Sequence, residues 1–273
     1  MNILSFIKYF MLSIINYFGF IETNIDPLIN KRYIILNKNN ISYHDENTLN
    51  YINNNTLLMN KKLITISPSG FYGFYVMGVC AYIKENYDIS EFIFSGASAG
   101  SLNSIFMIFK KNPKLITDII INNDLFKNKN AKQVLEQIKN NLLENFNIDD
   151  FDLDRLFISI TTFHQTNIHT DFENLEDVLD CCIASSNVPF ISGSLLHNYR
   201  NNYAFDGGFS DNPYLNTNQI ALHIHPNIWG QNEKILFNLF RTNYFNIEKL
   251  YEKGYQDTQK YGKEFLDQKL INN

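Results

Sequence analysis

Cysteine is scarce: the 273 residues hold only three, Cys80, Cys181 and Cys182. An odd number with one adjacent pair gives no disulfide framework, which argues against a small cross-linked secreted scaffold and for a reducing compartment. No CxxC or HxxxH spacing occurs, so no zinc site is indicated, and neither a metal nor another cofactor is expected. Basic charge is also in short supply. Lys and Arg number 23 against 28 Asp and Glu, a net charge of −5, so the chain lacks the basic field that draws nucleic acid, and no nucleic-acid partner is expected. No repeat of fixed period appears, which argues against solenoids and propellers.

What is present supports a folded core: 45% of residues are hydrophobic and 19% charged, outside the disordered range and long enough for one or two domains. Asparagine takes roughly one residue in seven, a coding bias that lends little weight to any single Asn. The strongest apolar stretch is residues 3–21. Ser5, Lys8, Ser13 and Asn16 fall on one side of a helix there, so the segment is amphipathic. It is short for a spanning helix, with Lys8 and Asn16 inside it, and no basic region precedes it as in a secretory signal. A helix packed on the domain, an interfacial membrane anchor, and a signal or span stay open. A cytoplasmic location is expected, with peripheral membrane attachment through this helix.

Residues 22–60 are polar, with one short apolar run at 32–36 that suits a strand or half of a hairpin ending near 41–43. Residues 53–55 read as a linker. From Lys62 the pattern alternates: a strand at 63–67, a helix at 73–86, a strand at 91–95, and a helix from Ala99. Strand, turn and helix in alternation imply a parallel sheet with helices on its faces. A mostly helical insert follows at 113–145, with Val134, Leu135, Ile138, Leu142 and Leu143 on one face. Strands are expected at 156–162, 168–172, 203–205 and 220–224, and a helix at 177–185. An amphipathic helix is expected at 247–266, with 247, 250, 251, 255, 258, 261 and 265 apolar. The resulting division is an N-terminal extension (1–60), a main α/β domain (62–226) and C-terminal helices packed on it (227–273).

The sharpest local signal is Gly96-Ala97-Ser98-Ala99-Gly100, directly after a strand and before a helix, the context in which GxSxG marks a nucleophile elbow. The two glycines make room for a tight reversal, and the helix N-terminus favours developing negative charge. A second signal, Ser67-Pro68-Ser69-Gly70-Phe71-Tyr72-Gly73, is a strand-to-helix turn able to present the N–H groups of Ser69 and Gly70. No GK[ST] follows, so it is no Walker motif. A third, Phe205-Asp206-Gly207-Gly208, taken alone reads as a tight turn. A Ser-His-Asp triad in the order Ser, acid, His leaves only His223 and His225 after Asp206, and they read as structural residues at a strand end. His164, His169 and His197 show no pairing logic.

Taken in order, these three signals resemble the patatin-like phospholipase family, closest to its animal-type lipid acyl hydrolases. Arg155-Leu156-Phe157-Ile158-Ser159-Ile160-Thr161, Ala184-Ser185-Ser186-Asn187-Val188-Pro189-Phe190, Asp206-Gly207-Gly208-Phe209-Ser210-Asp211-Asn212-Pro213 and Lys253-Gly254-Tyr255-Gln256-Asp257 are similar to further stretches of that group. The resemblance covers residues 62–226 well, the tail loosely and residues 1–60 not at all. It implies a three-layer α/β/α fold with a central mostly parallel sheet and a nucleophile elbow. It also implies a Ser–Asp dyad, with Ser98 the nucleophile and Asp206 the general base, acting through an acyl-enzyme without a cofactor. Ser69 and Gly70 supply the backbone oxyanion donors in this scheme. Pro68, which has no N–H, stands where the family has its first glycine, and Tyr72 stands where plant members carry a basic residue. The implied substrates are phospholipids or acylglycerols at a membrane or lipid-droplet surface, with an acyl channel from Ile105, Phe106, Ile108 and Phe109. A catalytically inactive lipid-binding relative and a triad esterase using His223 or His225 are the alternatives.

Overall fold

A computed structural model describes residues 43–44, 51, 54–55, 60–125, 127, 129–162, 165–195, 197–210, 212–216, 219–230 and 246–271. The N-terminal amphipathic segment at 3–21, the apolar run at 32–36 and His164 lie outside the described residues. Among them, six strands form one sheet: β1 (Tyr43–His44), β2 (Lys62–Ile66), β3 (Phe92–Ala97), β4 (Leu156–Thr161), β5 (Thr166–His169) and β8 (Ile220–Ile224). Their order is β1-β5-β4-β3-β2-β8. Every neighbouring pair is parallel except β4 and β5, which run antiparallel. A small hairpin, β6 (His197–Tyr199) with β7 (Asn202–Ala204), stands apart. The expectation of an α/β fold built on a central, mostly parallel sheet holds.

Parallel strands covered on both faces read as continuous apolar runs rather than alternations, and β3 is buried at every position. The pleat still divides them. Ile64, Ile66, Phe94, Leu156 and Ile158 join the large core under the helices, whereas Leu63, Ile93, Phe157 and Ile168 turn to the opposite face with Leu215. The helices are α1 (Gly73–Asn86), α2 (Ala99–Ile108), α3 (Pro113–Ile120), α4 (Ala131–Asn145), α5 (Leu175–Ser185), α6 (Ile247–Tyr261) and the short α7 (Lys263–Leu266). Four of them start on asparagine. The side chains of Asn112, Asn130, Asn174 and Asn246 accept from the backbone N–H groups of Lys114, Gln133, Asp177 and Lys249. Each such cap contributes about 1 kcal/mol, so part of the asparagine excess has structural work.

Two expectations shift. The strand expected at 168–172 lies at Thr166–His169, because the antiparallel turn from β4 sets its register, with Thr161 opposite Thr166. The helix expected unbroken over 247–266 stops at Tyr261, and Tyr261 and Phe265, expected on its buried face, are exposed. The rest of the expected face packs, with Ile247 and Thr258 buried and Leu250, Tyr251 and Tyr255 against the core, and Gly254 is buried with it. A Cβ at Gly254 would lie 2.0 Å from the Tyr75 carbonyl oxygen, and one at Gly78 2.0 Å from that of Tyr251. The α1 and α6 backbones therefore cross closely at two glycines, which a pattern of apolar residues does not register.

Candidate active site

The carboxyl ends of β3 and β4 place the candidate residues Ser98 and Asp206. β3 ends at Ala97 and α2 begins at Ala99, so Ser98 alone reverses the chain. Its backbone takes φ 54° and ψ −130°, a left-handed conformation that costs a non-glycine residue about 1–3 kcal/mol and persists only where the surroundings impose it. Close packing on both sides imposes it here. A Cβ at Gly96 would lie 2.3 Å from the Gly100 carbonyl oxygen, and one at Gly100 2.1 Å from that of Ile66. Only glycine at both positions lets the turn close against β2.

Asp206 arrives from the other side. Phe205 bridges to Thr161 at the end of β4, its N–H donating to the Thr161 oxygen at 2.8 Å, and the Asp206 N–H donates to the Asn187 oxygen at 2.9 Å. A Cβ at Gly207 would lie 2.5 Å from the Ser159 oxygen, so the turn after Asp206 lies flat on β4. Ser98 Oγ donates to Asp206 Oδ2 at 2.7 Å, and the Gly208 N–H donates to Asp206 Oδ1, also at 2.7 Å. Both side chains are nearly sealed, Ser98 at 4% and Asp206 at 2% exposure. Burial pushes the Asp206 carboxyl up to about 7, against the opposing pull of the hydrogen bonds from Ser98 and Gly208. Among the described residues the carboxylate has neutral donors and no cation beside it, so desolvation dominates. A carboxylate at this value, in contact with a hydroxyl, suits a general base near neutral pH.

The first turn contributes backbone donors. Gly70 has φ +52° and opens a short 3-10 turn ahead of α1. Among the described residues the N–H groups of Ser69 and Gly70 have no acceptor. Gly70 lines the same pocket as Ser98, whereas Ser69 is buried just outside that lining. The rest of the pocket is mainly apolar, with Phe74 and Met77 from α1, Leu102 from α2, and Val134, Leu135 and Ile138 from the helical insert. This corrects the expected acyl channel. Ile105, Phe106, Ile108 and Phe109 are core residues and do not line the pocket; Phe109, just past the end of α2, packs on Phe146 and Phe151.

His223 and His225 do not line this pocket. His223 Nδ1 is 2.8 Å from Thr65 Oγ1, and its ring stacks on His225. Burial and the neighbouring His225 push His223 down to about 4. Among the described residues no cluster of His, Cys, Asp and Glu suited to a metal ion occurs, and no helix is long and apolar enough to cross a membrane.

One residue of the site had no separate signal in the sequence. Ser185 Oγ accepts from the Ser98 N–H at 2.8 Å and donates to the Ser159 oxygen at 2.7 Å, tying the elbow to β4 from the last turn of α5. Ser185→Ala leaves the buried Ser98 N–H without a partner. The expected loss is about 1–3 kcal/mol of stability, read as a fall of several degrees in melting temperature; an unchanged melting curve would show that the bridge contributes nothing.

A family model described as patatin-like phospholipase matches residues 69–217, from the donor turn through the elbow to beyond Asp206. A search of curated proteins finds no match. With more than half of its length matched, the chain belongs to the patatin-like phospholipase family, a family of lipid acyl hydrolases.

Proposed function

We propose that the chain hydrolyses carboxylic ester bonds of phospholipids or acylglycerols, with Ser98 as nucleophile and Asp206 as base. The observation that carries this reading is the 2.7 Å hydrogen bond from Ser98 Oγ, on the wall of an apolar pocket, to the buried Asp206, whose other oxygen accepts from the Gly208 N–H. Ser98 Oγ attacks the ester carbonyl while its proton passes to Asp206 Oδ2. The tetrahedral oxyanion is held by the Gly70 N–H, with Ser69 beside it, and by the N-terminal end of α2. Collapse expels the alcohol, which takes the proton from Asp206 and leaves an acyl group on Ser98. Water then attacks this ester, Asp206 accepts its proton and returns it to Ser98 Oγ, and the fatty acid departs. The chemistry needs no cofactor.

The apolar lining favours a fatty acyl chain, and a lipid aggregate at a membrane or droplet surface is where such a chain is met. Location follows the same reading: a cytoplasmic protein that acts at the membrane surface, with the amphipathic segment at 3–21 as an anchor. The test is fatty-acid release from mixed phospholipid and acylglycerol vesicles. The native chain is expected to release acid and Ser98→Ala to lose that release by about 10³-fold or more while staying folded. Equal release by both would remove Ser98 from the chemistry, and binding of vesicles without release by the native chain would favour a lipid-binding protein.

A further inference from the structure

Phe190 combines two unfavourable features. Its ring is 80% exposed, and its backbone has φ +67°, a conformation that a bulky side chain rarely adopts. Neither is the slack of a loose loop. The Phe190 N–H donates to the Gly193 oxygen at 3.3 Å, and the N–H groups of Ile191 and Ser192 both donate to the Val188 oxygen at 3.0 Å. Ser192 Oγ accepts from the Val188 N–H at 2.9 Å and donates to the Ser186 oxygen. Pro189 and Ser192 on either side are buried. The turn is thus pinned at its base and holds an aromatic ring out at its tip.

That base belongs to the pocket, for Ser186 and Ser192 line it together with Ser98. Phe190 therefore stands on the pocket's rim. A single exposed apolar residue is ordinary; one held outward by a strained, hydrogen-bonded turn beside an apolar pocket calls for an apolar surface to receive it. With a net charge of −5, the chain offers no general attraction to anionic lipid, so contact has to be apolar.

We infer that Phe190 inserts into the surface of a phospholipid bilayer and sets the pocket's rim against the lipid. The inference rests on the lipid-ester reading of the same site, and its test is independent of turnover. Cys80, Cys181 and Cys182 are buried, so Phe190→Cys gives one accessible thiol for an environment-sensitive fluorophore. Glu91, whose side chain is 81% exposed, immediately precedes β3, at the strand end opposite the one that carries Ser98, and gives the control, Glu91→Cys. With phosphatidylcholine vesicles, the label at position 190 is expected to brighten and shift to the blue, at low and high salt alike, while the label at position 91 does not. Phe190→Asp is expected to lower co-sedimentation of the unlabelled chain with the same vesicles by about tenfold or more, with its melting temperature retained. Insertion without any fatty-acid release would leave the inference standing and sink the hydrolase reading. Release from vesicles with position 190 still in water and Phe190→Asp sedimenting like the native chain would overturn the inference alone. No association with vesicles at all would overturn it too.

Discussion

Asp206→Asn is expected to cut ester hydrolysis by about 10²- to 10⁴-fold and, at the same time, to make the protein more stable at alkaline pH. Both effects have one origin. The asparagine keeps an oxygen for the Gly208 N–H but puts an amide where Oδ2 takes the Ser98 proton, so the hydroxyl loses its base. The stability gain follows from the carboxyl's raised value. In the folded chain it is pushed up to about 7, against about 3.9 for an unfolded aspartate. Between those values the folded state holds a proton that the unfolded state has released. Stability therefore falls as pH rises through this window and stays lowered above it. Asparagine has no such dependence. The stability difference between Asp206→Asn and the native chain, followed by thermal melting across a pH series, is expected to be smallest near pH 4 and largest above about 8, on the order of a few kcal/mol. A variant that keeps its activity, or is destabilised most at alkaline pH, would contradict this account of the buried carboxylate.

The activity of the native chain is expected to follow the same titration. The base must be ionised to accept a proton, so kcat/KM on a soluble ester rises with pH and levels off above about 7. Below that value it falls about tenfold per unit, leaving roughly one hundredth of the plateau near pH 5. His223, pushed down to about 4, would as base give a profile flat from about pH 5 upward. The pH series therefore separates the two bases without any substitution, and a flat profile would rule out Asp206.

Much of the fold was legible because it is local. The helix at Gly73–Asn86 and the strand at Ile220–Ile224 have the bounds their patterns suggest, and the strand–serine–helix sequence around Ser98 is itself the signal. Asp206-Gly207-Gly208 was different. Alone it is a turn, and only its order after the other two motifs singled it out; the 2.7 Å contact joins residues 108 positions apart, which no window can span. Ser185 sits in a run of small residues with no period, so its bridge between Ser98 and Ser159 was hidden. The pocket lining was misplaced for a related reason. A helix such as α2, which buries Ser101, Asn103 and Ser104 along with its apolar residues, does not reveal from its pattern which side meets the pocket, whereas the insert helix α4, polar on one face, presents Val134, Leu135 and Ile138. The capping asparagines were lost in the bias of the composition.

The central claim is that Ser98 is a nucleophile activated by Asp206, and covalent capture tests it most directly. A long-chain fluorophosphonate, which transfers its phosphonyl group to an activated serine with loss of fluoride, would be incubated with the native chain near pH 8 and the adduct mapped by mass spectrometry. The account predicts one adduct, on the peptide carrying Ser98, absent from Ser98→Ala and formed far more slowly by Asp206→Asn. A native chain that stays unlabelled, or is labelled on another residue, would contradict it.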